Sequence, residues 1–275
     1  MIANSYTMEG PMKPIIEYEK HGYAVLRSFF SDLDISLIDK HVDRIYRKWA
    51  KKNEADVFSH KLVNMSSLTN VEHFNGLSGE RTKFFEAIAS IKLTNVIEQM
   101  FGTGIYFHNT QLFFNPTNKE RLPYWHRDMQ YSPVDDAIQS EEQERMLCLH
   151  VRIPLVKEKG VEVVSGSHKR WDTELERNVR LQLNGHKDND PLPNSVLIDL
   201  VPGDILIFNA QMIHRGNYEL NPTRKALDLC IGKHHPLTSS SLDERVLPTE
   251  AEMLNIENKQ WYEMAKDIIA NNSGK

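Results

Sequence analysis

A histidine and an aspartate stand two residues apart in the stretch YWHRDMQY, at His126 and Asp128. In an extended strand, side chains two residues apart point to the same side, so this pair could hold one metal ion without distortion. The pairing also arises often by chance, and a solvated strand edge is the simpler interpretation. A metal site needs at least one more ligand from elsewhere in the chain.

A second histidine and an arginine stand ten residues apart, His214 and Arg224, in PGDILIFNAQMIHRGNYELNPTRKAL. The Asn221-Pro222 turn between them predicts neighbouring strands of one sheet, with the arginine beside the metal. Two histidines and one carboxylate form the facial triad of non-haem Fe(II) oxygenases, which leaves coordination positions open. A 2-oxo acid can occupy two of them and dioxygen a third. A guanidinium fork suits the far carboxylate of that acid.

The remaining chain must position these groups. From 104 to 234, short runs rich in Ile, Val, Phe, Tyr and Leu alternate with Pro, Gly, Asn and Asp clusters, which predicts an antiparallel sandwich or barrel. The predicted strands are 105–114, 124–131, 146–156, 161–165, 196–201, 204–209 and 225–232. Helical spacing predicts a helix from about Asp32, capped by Ser31, another over roughly 79–100, and a closing helix in the tail. The predicted loops are 54–80, 131–146 and 170–195.

The composition is ordinary for a globular protein, with 40% hydrophobic and 26% charged residues in 275. We expect one domain over 1–275, with a β core at about 104–235, N-terminal helices at about 31–101 and a C-terminal helix at about 249–271. The 33 basic and 38 acidic residues are interspersed, which argues against nucleic acid as the main partner.

Cysteine usage and the chain's apolar runs bear on its compartment. Two cysteines, Cys148 and Cys230, do not make a disulfide framework, so a reducing, cytoplasmic compartment fits best. The start, MIANSYTMEGPMKP, lacks the pattern of a secretory signal, and no apolar run is long enough to span a membrane. We therefore expect neither export nor membrane insertion.

Taken together, the HxD pair, the distant histidine and the arginine ten residues later, in a β-rich chain, resemble the Fe(II)/2-oxoglutarate-dependent oxygenases. Within them the chain is similar to the phytanoyl-CoA dioxygenase family. The similarity spans roughly residues 15 to 235 and rests on YEKHGYAVLRSFF, WHRD, EKGVEVVSGSHKRW and PGDILIFNAQMIHRGN, in the family's order. Two positions depart from the pattern: Ser165 replaces a usual proline, and Arg152 stands where apolar or aromatic residues are commoner.

The resemblance implies a mainly β fold with flanking helices, a double-stranded β-helix or jelly roll of the cupin type. It implies that His126, Asp128 and His214 bind Fe(II), that Arg224 binds 2-oxoglutarate, and that Gln111 reaches the oxo acid or the substrate. The expected reaction uses O2, converts 2-oxoglutarate to succinate and CO2, and hydroxylates an unactivated C–H bond of a small molecule. Desaturation, cyclisation and epimerisation use the same chemistry. Asp128 argues against a halogenase, in which chloride takes the place of the carboxylate ligand.

Strand alternation in LCLHVRIPL places Cys148, His150 and Arg152 on one face. If this face lines the barrel mouth, Arg152 and His150 contact the substrate; the alternative is an outward, solvated arginine. A set of basic residues around the expected mouth favours a polar or anionic substrate, although charge runs are usually solvated faces. These residues are Lys119, Arg121, Arg127, Arg152 and Arg170.

Two other classes of protein compete with this interpretation. A cupin-like protein could bind a metal or small ligand without turnover, but it would not need the carboxylate clamp that Arg224 offers. A nucleic-acid demethylase on the same barrel would need a basic groove, which the charge pattern lacks. We expect His168 to be structural and the pair His234-His235 to lie on the surface.

Overall fold

The computed structural model describes residues 13–59, 62–117 and 120–273, and in this part of the chain nine strands form two antiparallel sheets. The larger sheet has the order β1-β7-β4-β9-β3-β2 and the smaller one the order β6-β5-β8. The strands are β1 (Tyr23–Leu26), β2 (Asn64–Ser66), β3 (Ile105–Phe114), β4 (Cys148–Pro154), β5 (Glu158–Val164), β6 (Ser195–Leu200), β7 (Ile205–Asn209), β8 (His214–Gly216) and β9 (Lys225–Lys233). This arrangement, with helices beside it, confirms the predicted jelly-roll class.

Helices precede and follow the strands. They are α1 (Lys13–His21), α2 (Asp32–Lys52), α3 (Glu54–Ser59), α4 (Ser78–Ile88), α5 (Ile91–Phe101), α6 (Asp136–Glu142), α7 (Glu174–Arg180), α8 (Pro236–Ser239), α9 (Glu250–Met253) and α10 (Gln260–Ser273). The predicted cap of α2 is confirmed, because the Ser31 side chain accepts from the Asp34 amide and Asp34 closes a capping box. No helix among the described residues combines the length and hydropathy needed to cross a membrane.

The larger sheet is buried on both faces, which explains its nearly continuous apolar strands. In β7, Ile205 and Ile207 join the core that the helices cover, whereas Leu206 and Phe208 pack with residues of the smaller sheet. On the helical side, the Tyr262 ring of α10 meets Phe107 of β3 edge-on, with ring centroids 5.3 Å apart. The space between the two sheets is therefore the barrel interior, and the functional groups lie there.

Two predictions about local structure were wrong. Residues 124–131 do not form a regular strand: His126 makes one isolated bridge with His214, and Asp128–Tyr131 is a 3-10 turn. His214 and Arg224 also do not lie on neighbouring strands of one sheet. His214 begins β8 in the smaller sheet, and Arg224 immediately precedes β9 in the larger one. The connection between them passes from the smaller sheet to the larger one.

The predicted loops contain short elements. The segment 54–80 includes α3, β2 and the start of α4, while 131–146 holds α6 and 170–195 holds α7. Most of the chain start, on which the absence of a signal was predicted, lies outside the described residues.

Candidate metal and co-substrate site

The two histidines are brought together by the backbone. The His126 amide donates to the His214 carbonyl at 3.0 Å, and the His214 amide returns a bond to the His126 carbonyl at 3.0 Å. The Asp128 amide donates to the carbonyl of Ala210 at 3.1 Å, which fixes the start of the 3-10 turn. Backbone hydrogen bonds therefore fix the position of each predicted ligand without a metal.

The side chains point toward a common centre. His126 Nε2 lies 3.6 Å and His214 Nε2 3.4 Å from Asp128 Oδ1, and the ligand atoms of the three residues lie within 4.8 Å of one another. The Nδ1 atoms lie 3.2 Å from the Tyr124 carbonyl oxygen for His126 and 3.0 Å from the Met212 carbonyl oxygen for His214. A carbonyl only accepts, so each Nδ1 carries the hydrogen and each Nε2 keeps a lone pair.

The electrostatics of the site favour the protonation states that a metal requires. Burial, followed by the charge of His126, lowers the pKa of His214 to about 3, and burial also lowers the pKa of His126. Burial alone would raise the pKa of Asp128, but His150 and the other imidazoles hold it well below its usual range. Neutral imidazoles and an ionised carboxylate are the forms that bind a metal. The three residues fit Fe(II).

Arg224 is the second part of the site. It is 5% exposed, and its Nε lies 3.4 Å from Glu158 Oε2, while its Nη1 has no hydrogen-bond partner among the described residues. Gly216 leaves space for the guanidinium, because a Cβ at that position would lie 2.9 Å from Arg224 Nη1. A buried, unpartnered guanidinium nitrogen is costly unless a ligand completes it, and a carboxylate is the natural ligand.

The triad and Arg224 line the same cavity, which has a volume of about 260 Å³. Its walls come from both sheets, with Phe113 and Arg152 on one side and Val161 and Gly216 on the other. The arrangement can hold a metal at the triad and a dicarboxylic acid between the metal and Arg224.

The face of β4 that carries His150 and Arg152 lines this cavity. His150 Nε2 lies 2.6 Å from Asp128 Oδ2, and its Nδ1 lies 3.1 Å from Asp228 Oδ2. Arg152 Nε lies 3.2 Å from Asp228 Oδ1 and 3.3 Å from Glu158 Oε1. Both side chains therefore contact acidic groups of the site, instead of standing free in the cavity.

Sequence reasoning missed Asp228 and Glu158. Both carboxylates are buried, and they join the triad to Arg224 through His150 and Arg152. The available signals were an acidic residue inside the apolar strand KALDLCIGK and a glutamate at the start of EKGVEVV. Asp228 lies opposite Arg152 in the β4–β9 register, and only the structure shows this pairing.

Gln111 borders the cavity from β3. Its Oε1 accepts from Asn64 Nδ2 at 3.2 Å, and its Nε2 lies 3.8 Å from Cys230 Sγ. The side chain is therefore held in place by weak contacts and presents an amide to the interior.

The predicted basic mouth is not formed as expected. Arg127, the residue between the two HxD ligands, is fully buried. It donates to Asp172 at 2.8 Å and to the Ser167 carbonyl at 2.9 Å, so it fixes the backbone of the HxD motif and does not face the substrate. Arg170 forms two 2.6 Å bonds with Glu176. Arg121 lies over the Tyr124 ring at 4.7 Å, and Lys119 is outside the described residues.

His168, His234 and His235 are not part of the ligand group that converges at the triad. His168 is buried against Tyr18, with ring centroids 5.7 Å apart. His234 Nδ1 lies 2.7 Å from Ser239 Oγ, and His235 caps α8 and contacts Glu142.

Comparison with known proteins agrees with the fold and the site. The family model described as phytanoyl-CoA dioxygenase matches residues 18–226. An ectoine dioxygenase of Sphingopyxis alaskensis is 20% identical over 246 residues, covering 82% of this chain and 77% of that protein.

Two solved structures have the same fold. EctD from S. alaskensis, with 2-oxoglutarate and 5-hydroxyectoine, has a TM-score of 0.55 at 18% identity and covers 83% of this chain and 78% of its own. HygX from Streptomyces hygroscopicus, with nickel and 2-oxoglutarate bound, has a TM-score of 0.58 at 13% identity and covers 82% and 88%.

Proposed function

The chain belongs to the phytanoyl-CoA dioxygenase family of Fe(II)- and 2-oxoglutarate-dependent oxygenases, and we propose that it hydroxylates a C–H bond of a small molecule while 2-oxoglutarate becomes succinate and CO2. The observation that carries this proposal is one cavity holding both the His126–Asp128–His214 triad and the unpartnered guanidinium nitrogen of Arg224. A metal ligand set and a carboxylate clamp in one chamber are what a 2-oxo acid oxygenase needs.

Three side chains would hold the iron: His126 and His214 through Nε2, and Asp128 through Oδ1. When bound, iron with 2-oxoglutarate and dioxygen supplies an oxidant able to take hydrogen from a C–H bond. The chain's own task is positioning. His150 occupies Asp128 Oδ2 and thereby directs Oδ1 toward the two imidazoles, and Asp228 holds the other nitrogen of His150.

Arg224 would bind the far carboxylate of 2-oxoglutarate. Glu158 steadies the guanidinium through Nε, and Arg152 contacts the same glutamate, so the charge pairs leave Nη1 available. We assign Arg152 this supporting position and Gln111 a contact with the oxo acid or the substrate, since both line the cavity.

A cupin-like protein that binds without turnover is the rival class. Such a protein does not need a buried arginine whose hydrogen bonds are completed only by a bound ligand, so Arg224 favours the enzyme. Desaturation, cyclisation and epimerisation share the same cavity requirements, and product analysis distinguishes them from hydroxylation. We place the enzyme in the reducing cytoplasm, because Cys148 and Cys230 are both free thiols.

Succinate formation from 2-oxoglutarate is the first test. The purified protein with Fe(II) and oxygen should release succinate, even without its substrate at a slow uncoupled rate, and His214→Ala should abolish both this release and stoichiometric Fe(II) binding. The matched control is His234→Asn, an exposed histidine that does not line the cavity of the triad, which should retain both. Fe(II) bound without any succinate, across substrate mixtures, would support the cupin-like alternative.

A further inference from the structure

Two guanidiniums, those of Arg152 and Arg224, line the cavity that holds the triad. Arg152 lies on β4, and Arg224 immediately precedes β9, the strand that pairs with β4. Both side chains are buried, and the Phe113 ring lies 4.7 Å from the guanidinium carbon of Arg152 and 5.4 Å from that of Arg224. Burial, followed by the charge of Arg152, lowers the pKa of Arg224. The two cations are therefore close neighbours.

Glu158 bridges the two arginines. Its Oε1 lies 3.3 Å from Arg152 Nε, and its Oε2 lies 3.4 Å from Arg224 Nε. Asp228 is the other carboxylate of this cluster, with Oδ1 3.2 Å from Arg152 Nε and Oδ2 3.1 Å from His150 Nδ1. In these ion pairs the carboxylates approach the Nε atom of each guanidinium.

The outer nitrogens of both arginines are incompletely satisfied. Arg152 Nη2 and Arg224 Nη1 are buried and have no hydrogen-bond partner among the described residues. A buried N–H group that lacks a partner is costly, and native structures seldom leave one without a protein group, a water molecule or a ligand. Two such groups, one on each of two neighbouring guanidiniums, indicate an acceptor that serves both.

A carboxylate is the acceptor that the two arginines can share. Its two oxygens offer about four lone-pair sites, so it can accept from one nitrogen of each guanidinium at the same time. Glu158 already bridges the two Nε atoms in this manner. The proposed co-substrate brings one such group to Arg224, whereas a cation at this place would be repelled by both guanidiniums.

The sequence departs from the phytanoyl-CoA dioxygenase pattern at this same position, because Arg152 stands where apolar or aromatic residues are commoner. An apolar side chain there has no hydrogen-bond donor for a ligand. The extra guanidinium is matched by two buried carboxylates, Glu158 and Asp228, which offset the cost of burying its charge. The second cation is therefore a property of this chain's own cavity.

We propose that Arg152 is a second ligand for the far carboxylate of 2-oxoglutarate, which accepts hydrogen bonds from Arg152 Nη2 and Arg224 Nη1 together. This inference rests on the proposed function, because it takes 2-oxoglutarate as the co-substrate. It differs from the expectation that Arg152 contacts the substrate, and it adds a direct role to the support that Arg152 gives through Glu158. Two cations then select a diacid at this end of the cavity.

Two 2-oxo acids of equal chain length test this role. 2-Oxoglutarate and 2-oxopentanoate share the same oxo-acid end, but only 2-oxoglutarate has a far carboxylate. The protein is loaded with Fe(II) under nitrogen, so that no turnover occurs, and the dissociation constant of each acid is measured by calorimetry. The ratio of the two constants gives the preference for the diacid. It is compared among the parent, Arg152→Met, Arg224→Met and the double variant.

We expect Arg152→Met to reduce the preference for the diacid by about tenfold, equal to roughly 1.4 kcal/mol, with little change in the affinity for 2-oxopentanoate. Adding Arg152→Met to Arg224→Met should reduce the remaining preference again, because a direct bond does not need Arg224. An effect transmitted only through Arg224 would vanish in that background. Arg145→Met removes an exposed arginine outside the cavity and should leave the preference unchanged.

Arg152→Lys is the second variant if Arg152→Met does not fold. It keeps a cation between Asp228 and Glu158 but loses the planar fork, so it should also lower the preference in both backgrounds. An unchanged preference, or an effect that disappears once Arg224 is replaced, would overturn the proposal. So would an equal loss of affinity for both acids, the result expected if water satisfies Nη2 and Arg152 only supports the fold.

The same measurements separate this inference from the proposed function. A parent protein that binds neither acid would contradict the proposed function and this inference with it. A protein that binds 2-oxoglutarate and forms succinate, with a preference for the diacid that does not depend on Arg152, would contradict this inference alone.

Discussion

Arg224 differs from the other cavity arginine in how its charge is satisfied. Arg152 lies between two carboxylates, Asp228 and Glu158, whereas Arg224 contacts only Glu158 and keeps Nη1 unpartnered within the described chain. The Phe113 ring lies 4.7 Å from the Arg152 guanidinium carbon and 5.4 Å from that of Arg224, so it contacts both arginines. At the residue scale, Arg152 Nε and Nη2 also lack a hydrogen-bond partner among the described residues, so Arg224 is distinguished by contacting one carboxylate instead of two.

Arg224→Lys should therefore weaken 2-oxoglutarate far more than iron, because an ammonium cannot form the two parallel bonds of a guanidinium fork. We expect the KM for 2-oxoglutarate to rise by about tenfold or more, equivalent to the loss of one charged hydrogen bond. Fe(II) content should stay stoichiometric. Arg170→Lys is the matched control, since Arg170 makes a bidentate pair with Glu176 outside the cavity. Equal loss of iron and 2-oxoglutarate affinity would contradict the role assigned.

His150 has an unusual position for a histidine near a metal site. Burial opposes its charge, but the neighbouring Cys230 and the Asp128 and Asp228 carboxylates raise its pKa well above the ordinary value. His150→Phe should keep the ring volume and the stacking on Phe208, 5.0 Å away, but leave Asp128 Oδ2 without its partner.

We expect this variant to bind Fe(II) more weakly, by about 10–100-fold, as is usual when a group that orients a metal ligand is lost. The KM for 2-oxoglutarate, measured at saturating iron, should change little, because Arg224 is intact. His150→Gln, which can still donate one hydrogen bond, should recover part of the iron affinity. An unchanged dissociation constant for Fe(II) in His150→Phe would remove His150 from the support of Asp128.

At the scale of elements, the short strand β8 positions two parts of the site. Its first residue is His214, and its last, Gly216, lies directly against the Arg224 guanidinium. The Arg224 guanidinium therefore packs against the same strand that carries His214.

Gly216→Ala should disturb this approach. The new Cβ would lie 2.9 Å from Nη1 and 3.0 Å from Nη2 of Arg224, and real Cβ atoms essentially never come closer than about 3 Å to a neighbour. We expect the KM for 2-oxoglutarate to rise with little change in Fe(II) binding, measured by kinetics and metal analysis. Gly79→Ala, where an added Cβ meets nothing within 4 Å, is the control. Loss of iron before loss of 2-oxoglutarate affinity would show that β8 itself had moved.

At the scale of the whole molecule, helix α1 packs against the segment SGSHKRW, residues 165–171, through His168. This imidazole packs against Tyr18 of α1, and Gly22 approaches it so closely that a Cβ there would lie 2.6 Å from its Nδ1. Burial, and then the charge of Lys169, lower the pKa of His168 from 6.5 to about 4.

The folded state therefore binds fewer protons at His168 than the unfolded chain does between those two values. The stabilising contribution of this neutral histidine is complete above about pH 6.5 and is lost as the pH falls toward 4. When both proteins are free of metal, lowering the pH from about 7.5 to about 5 should therefore reduce the unfolding temperature of His168→Asn less than that of the parent. Unfolding temperatures at the two pH values check this, with His234→Asn as the control. An identical pH dependence in parent and His168→Asn would contradict the prediction.

The sequence by itself determined the family, the jelly-roll class and the three side chains that converge on one point. These depend on local spacing, on strand alternation and on a rare combination of residue types, all of which are read along the chain. The face of β4 that carries His150 and Arg152 was also predictable as one of two faces, because side chains alternate in a strand.

Only the tertiary structure decided the rest. The sheet to which a strand belongs, and its register, depend on long-range packing. The placement of His214 and Arg224 in different sheets, and the pairing of Asp228 with Arg152, could therefore not be read from the sequence. For the same reason the arginines near the HxD motif do not form one substrate-facing set. Arg127 has a buried ion pair with Asp172, Arg170 an exposed one with Glu176, Arg121 lies over the Tyr124 ring, and Arg152 lies between Asp228 and Glu158. Charge counts along a chain do not reveal which charges are already paired.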